Sequence, residues 1–138
     1  MAENSVQSRT LTCIICPAGC SLEIKNNPAE ENLFVTGNRC PRGADYAQEE
    51  IRSPKRVVTA TAAIIMSCQE RKSISVRRVP VKTTIPCPRE KIPALLRDIY
   101  NLRVSLPVKA GETLISGWNG EEINVIATRS IGGQDNVF

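Results

Sequence analysis

Four cysteines carry the most specific chemistry in this chain. Cys13, Cys16 and Cys20 fall within "LTCIICPAGC" at C-x2-C-x3-C spacing, and Cys40 follows after nineteen intervening residues in "TGNRCPRG". Thiolates are soft ligands suited to zinc and iron–sulfur clusters, and a tight loop of several sulfurs closed by a remote one is a pattern for a tetrahedral centre. Three readings stand side by side. The three-plus-one division fits a 4Fe–4S cluster better than structural zinc, whose ligands more often come as two pairs. Zinc held by the same four thiolates would staple a module too small to build its own core. A dithiol at Cys13 and Cys16, with one thiol acidified, would do thiol–disulfide exchange but leaves Cys20 and Cys40 without a part.

The neighbours of these thiols suit a metal loop. Pro17 and Gly19 bend the chain so that backbone N–H groups can face sulfur, and Ile14 and Ile15 are expected to keep water away. Sulfur hydrogen bonding and solvent exclusion both tune such a centre. Gly37 and Gly43 allow close backbone approach around Cys40, and Arg42 adds a nearby cation. Ile14, Ile15, Gly19, Arg42 and Gly43 are therefore the residues expected to surround the ligands, with Tyr46 covering the site. The chain has no histidine. That removes mixed Cys/His zinc sites, Cys–His nucleophiles, Ser–His–Asp triads and imidazole acid–base chemistry together.

The elements that must position the cysteines can be read from periodicity. "SLEIKNN" alternates polar and apolar residues and "LFVTGN" forms a second strand, so a hairpin returns the chain and can bring Cys40 beside the other three. "ADYAQEEIR" holds helix formers and ends at Pro54. A boundary at "IRSPKR" separates a cysteine-rich metal module, 1–52, from a β-rich domain, 53–138. In the second region "RVVTATAAIIM" and "ISVRRVPVKT" read as strands around a turn "SCQERKS", with Pro80 arguing for an edge position. Ile92, Leu95, Leu96 and Ile99 recur at helical spacing between Pro88 and about Leu102, and Pro93 is tolerable only in the first turn. "VSLPV", "ETLISG" and "INVIATRS" complete the strands, with Asn119-Gly120 as a hairpin signal. The class is α+β: a small cysteine-ligated metal module with a β-hairpin, then a compact β-rich domain with one main helix.

Composition narrows the function classes. At 138 residues, 41% hydrophobic and 23% charged, the chain is globular in character. No apolar run approaches the ~20 residues of a spanning helix. The N-terminus has neither a basic nor an apolar signal region, so a cytoplasmic location is expected, where thiols stay reduced. Residues 1–52 carry five Lys/Arg against seven Asp/Glu, whereas residues 53–138 carry thirteen against seven. Nucleic acid is not the expected partner of that basic half, because only five aromatics are present to stack bases. An acidic protein partner fits the charge as well. Glu49-Glu50 and Glu121-Glu122 are adjacent and point apart, which suits solvated surface, and Gly132-Gly133 reads as flexible backbone. Trp118 is either a docking aromatic or packing over the last hairpin.

Two resemblances extend this reading. "CIICPAGC" with "GNRCPRG" resembles the 4Fe–4S segment opening the molybdopterin oxidoreductases, over about residues 11–58. That likeness implies Cys13, Cys16, Cys20 and Cys40 as ligands and Arg42 as the basic residue beside the cluster. The chain is too short for the molybdopterin-binding domains, so no molybdenum is inferred. "LTCIICPAGC", "VTGNRCPRG", "SPKRVVTATA", "VPVKTTIP", "LPVKAGE" and "INVIATRS" together resemble a small bacterial family of unknown function marked by paired cysteine motifs. Its members are typically encoded beside glycerol-3-phosphate-dehydrogenase-like and NAD(FAD)-dependent flavoproteins. The resemblance implies an iron–sulfur electron-transfer accessory subunit of an FAD-dependent dehydrogenase, with catalysis on the partner. Cys68 and Cys87 depart from the family pattern and are not expected to be ligands. The alternative kept is a zinc-binding interaction protein without a redox role.

Overall fold

The computed structural model describes residues 7–26 and 33–132. The chain divides into two compact units, Met1–Pro54 and Lys55–Phe138, and its class is α+β.

The first unit is a three-stranded antiparallel sheet, β1 (Gln7–Thr12), β2 (Ser21–Asn26) and β3 (Leu33–Thr36), in that order, followed by helix α1 (Pro41–Arg52). The alternation in β2 buries Leu22 and Ile24 and exposes Ser21, Glu23 and Lys25, as period-2 side-chain geometry requires. The expected hairpin is β2 with β3, paired from Glu23↔Thr36 to Asn26↔Leu33. A second hairpin, β1 with β2, runs in register from Gln7↔Asn26 to Thr12↔Ser21. Pro41 begins α1, where a missing N–H costs nothing. Gly43 and Ala47, four apart and so on one face, are the buried helix residues. Their packing needs glycine at 43: a Cβ there would lie 2.9 Å from Asn38 Cβ and 3.5 Å from Leu22 Cδ2.

The second unit holds β4 (Lys55–Arg56), β5 (Thr59–Ile65), the short helix α2 (Glu70–Ser73), β6 (Arg78–Thr83), β7 (Cys87–Pro88), α3 (Ile92–Asn101), β8 (Arg103–Ser105), β9 (Thr113–Ile115) and β10 (Val125–Ala127). Five strands form one sheet in the order β8-β5-β6-β10-β9, parallel only between β5 and β8, and β4 pairs separately with β7. One face of the sheet, with Ala62, Val79, Val81, Val104, Val125 and Ala127, shares the core with Leu95 and Ile99 of α3. The amphipathic pattern of α3 produces that burial, and Pro93 falls at the second helical residue, inside the permitted first turn.

Three local expectations are corrected. Pro80 does not mark an edge, because β6 lies at the sheet's centre. Its carbonyl accepts the N–H of Thr128 at 2.9 Å, beyond the end of β10. The missing Pro80 N–H faces that same side, so the Pro80–Thr128 pair makes one of the two bonds of a ladder pair, and the ladder ends there. The "SCQERKS" turn contains α2, started by a capping box: Ser67 N–H donates to Glu70 Oε2 at 2.7 Å and Glu70 N–H donates to Ser67 Oγ at 3.3 Å. "RVVTATAAIIM" is two strands, β4 and β5, broken where Val58 turns inward and exchanges bonds with Thr83.

The Asn119-Gly120 signal does join antiparallel neighbours, β9 and β10. Both residues have positive φ, +57° and +74°, as the tight turn from Trp118 to Glu121 demands. Trp118 itself is buried, and its indole N–H donates to Asp98 Oδ2 at 2.6 Å. Packing, not docking, is its role. Among the described residues no helix is long and apolar enough to cross a membrane.

Candidate metal centre

The β1–β2 hairpin positions three of the four thiols. Beyond the Thr12↔Ser21 pair, Cys13 N–H donates to the Cys20 carbonyl at 2.8 Å, so "CIICPAGC" is the closed tip of that hairpin. Within it Gly19 N–H reaches the Cys16 carbonyl at 3.5 Å, and Gly19 adopts φ +57°, a conformation that L side chains resist. The glycine that was expected beside the ligands thus turns the loop. Cys13 is buried at the inner end of the tip with Leu22, Ile24 and Ala47, and Cys20, Tyr46 and Val35 pack partly buried against that group. Cys16 is half-buried.

Cys40 comes from a different element. It is the extended residue before α1, at φ −150° and ψ 163°. Two residues fix the approach to it. Gly37 has φ +85°, and a Cβ there would collide with the Ser21 carbonyl, so β3 can leave the sheet close to the base of the hairpin tip only with glycine. Asn38 donates from Nδ2 to the Cys40 carbonyl at 3.0 Å. Sequence reasoning passed over Asn38; its only signal was its position two before the cysteine, where Asn side chains bond local backbone.

The electrostatics centre on Arg42. A side-chain hydrogen bond from Arg42 is the main cause holding the Cys40 thiol below its usual range, and the first-turn amides of Gly43 and Arg42 act in the same direction against partial desolvation. Arg42 is in turn held more firmly charged, first by that bond, then by the charges of Cys40, Cys16 and Cys13. One guanidinium therefore answers to sulfurs from both elements. A cation and a helix N-terminus both favour thiolate, the form that binds metal.

Not every expectation is met by the side chains. Ile14 is 74% exposed and Ile15 48%, so neither shields the thiols in the isolated chain. Among the described residues no three cysteine or carboxylate side chains converge closely enough to form a metal-ligand group, and all six cysteines are free thiols. The donor set still fits a soft metal: four thiols from one hairpin tip and one helix start, with a cation to offset their charge. Cys68 and Cys87 lie in the second unit, exposed and fully buried respectively.

Comparison with known proteins places residues 41–129 within a family described as a protein of unknown function, DUF1667. The chain belongs to this family. The DUF1667 match begins one residue after Cys40, so it spans α1 and most of the second unit while all four candidate ligands precede it. An NMR structure of the Clostridium perfringens protein CPE0013 is similar at 20% identity, covering 59% of this chain and 88% of that one, with a TM-score of 0.49. No curated protein matches the chain.

Proposed function

We propose that this DUF1667 protein is an iron–sulfur electron-transfer subunit of a flavin-dependent dehydrogenase, acting in the cytoplasm. Cys13, Cys16, Cys20 and Cys40 would hold a 4Fe–4S cluster. The observation that carries the reading is the presentation of three thiols on one hairpin tip and a fourth at a helix start, with the Arg42 guanidinium drawn to sulfurs of both. The likeness of "CIICPAGC" and "GNRCPRG" to the 4Fe–4S segment of molybdopterin oxidoreductases supports iron over zinc. The likeness to a family encoded beside FAD-dependent dehydrogenases supports the partner. When bound, the cluster would pass single electrons between a flavin, which collects them in pairs, and an acceptor. The chain's own residues would supply thiolate ligands, a compensating cation and a shaped loop. Substrate chemistry would reside on the flavoprotein.

Metal and sulfide analysis of anaerobically purified protein tests this. The expected result is brown protein holding about four irons and four sulfides, with visible absorption that bleaches on reduction. Cys40→Ser should abolish the centre. Colourless protein with one zinc and no sulfide would replace the reading with the zinc-staple alternative, and metal-free protein cycling a Cys13–Cys16 disulfide would replace it with thiol chemistry.

A further inference from the structure

The strand register shows what the sheet of the second unit presents on the face away from its core. Arg103 of β8, Ala63 of β5 and Arg78 of β6 stand in one row across three strands, and Lys82 lies between Thr59 and Ile126 in another. Adjacent strands are about 4.8 Å apart, so the two arginines begin about 10 Å from one another. Arg78, Lys82 and Arg103 are exposed, and Ile65 beside them is 53% exposed. No strand position on this face carries a carboxylate.

The arginines are held. Arg78 donates from Nε to Thr61 Oγ1 and from Nη2 to the Thr61 carbonyl, each at 2.7 Å. Arg103 donates from Nη1 to the carbonyls of Tyr100 at 3.0 Å and Leu102 at 3.1 Å. A fixed guanidinium loses less entropy on meeting a carboxylate than a free one, and these bonds leave N–H donors on each guanidinium unused. Ala63 stands between Arg103 and Arg78, and Pro80 between Arg78 and Lys82, with Ile65 and Ile126 at the two ends of this row of cations, so apolar contact area flanks each charge.

We propose that this face docks a carboxylate-rich surface of the flavoprotein subunit, an inference that rests on the electron-transfer reading and assigns its partner surface. The charge decides the class of partner, since only anionic groups complement three cations on a face whose strands carry no carboxylate. A protein is favoured over nucleic acid because no position on the face is aromatic, and single-stranded nucleic acid binds through stacked bases.

The test uses the whole chain, metal-loaded, and the flavin-containing dehydrogenase that co-purifies with it from the native host. The double variant Arg78→Glu with Lys82→Glu should bind that flavoprotein about a hundredfold more weakly at low salt, chiefly through slower association. Wild-type binding should weaken as salt rises. Ile65→Asp should also weaken it, which keeps the test informative if the double variant folds poorly. Lys72→Glu, in α2 and outside the five-stranded sheet, should leave it unchanged. A flavoprotein complex indifferent to the first two variants overturns the docking face while the electron-transfer reading stands. No flavoprotein complex at all overturns both. Binding of a single-stranded oligonucleotide that displaces the flavoprotein from this face overturns the choice of partner.

Discussion

The two units bury very different amounts of apolar surface. Among the described residues the first gathers four buried apolar side chains, Cys13, Leu22, Ile24 and Ala47, while the second gathers fourteen around α3 and one face of its sheet. One of the four is itself a candidate ligand. Units of this size without a larger core usually depend on metal, disulfide or assembly. On the proposed reading the cysteines of the first unit would serve structure as well as chemistry, whereas the second unit has a packed core of its own. A cluster or zinc ion there would make folding and function one property.

Metal removal should therefore split the molecule's behaviour, and it is the largest effect expected. Structural metal sites contribute on the order of 10 kcal/mol to the folding of small modules. Stripping the centre with a chelator should leave amides of residues 7–26 and 33–54 exchanging with deuterium within seconds. Amides of β5, β6 and α3 should keep their protection. Equal protection in both units after metal removal would break the comparison, by showing that the four-residue core suffices.

The reverse experiment sharpens it. Leu95 is fully buried in the second unit, and Leu95→Ala should cost about 2–5 kcal/mol through lost transfer energy and the cavity left behind. Urea unfolding followed at Trp118, whose ring belongs to the same core, reads that loss directly. Metal content and the visible spectrum should not change. Loss of the centre in Leu95→Ala would show that the two cores are energetically linked.

Much of this arrangement was legible in the sequence where one residue pattern decided one outcome. Leu22 and Ile24 alternated with polar neighbours and made β2. Leu95 and Ile99, four apart, made the buried stripe of α3, and Asn119-Gly120 turned the last hairpin. β1 was not legible, because Gln7–Thr12 has Leu11 as its one aliphatic residue and takes its place from pairing with β2. The central position of Pro80 was also hidden, since it depends on where β10 ends. At the candidate site the spacing located the thiols, but not that their loop was a hairpin tip. Nor could spacing show that Ile14 and Ile15 face solvent, since exposure depends on what lies opposite the loop.

The two cysteines outside the site offer the smallest and most local test. Cys68 is exposed, whereas Cys87 is fully buried in the second core. Burial pushes the Cys87 thiol up, the charge of Glu121 adds to that, and Lys91 partly opposes it. The folded state therefore keeps the Cys87 proton to higher pH than the unfolded chain does. Its contribution to stability is complete below the unfolded thiol value of about 8.5, and is lost as pH rises from there through the raised folded value. The slope is at most about 1.4 kcal/mol per pH unit. Urea midpoints should fall more steeply above pH ~8.5 in the wild type than in Cys87→Ala, and the difference between the two isolates this thiol from other alkaline groups. Iodoacetamide should modify Cys68 in the native protein and reach Cys87 only through unfolding. Labelling of both at one rate would mean that the second core opens as readily as a surface loop, and the contrast between a packed unit and one proposed to depend on metal would lose its basis.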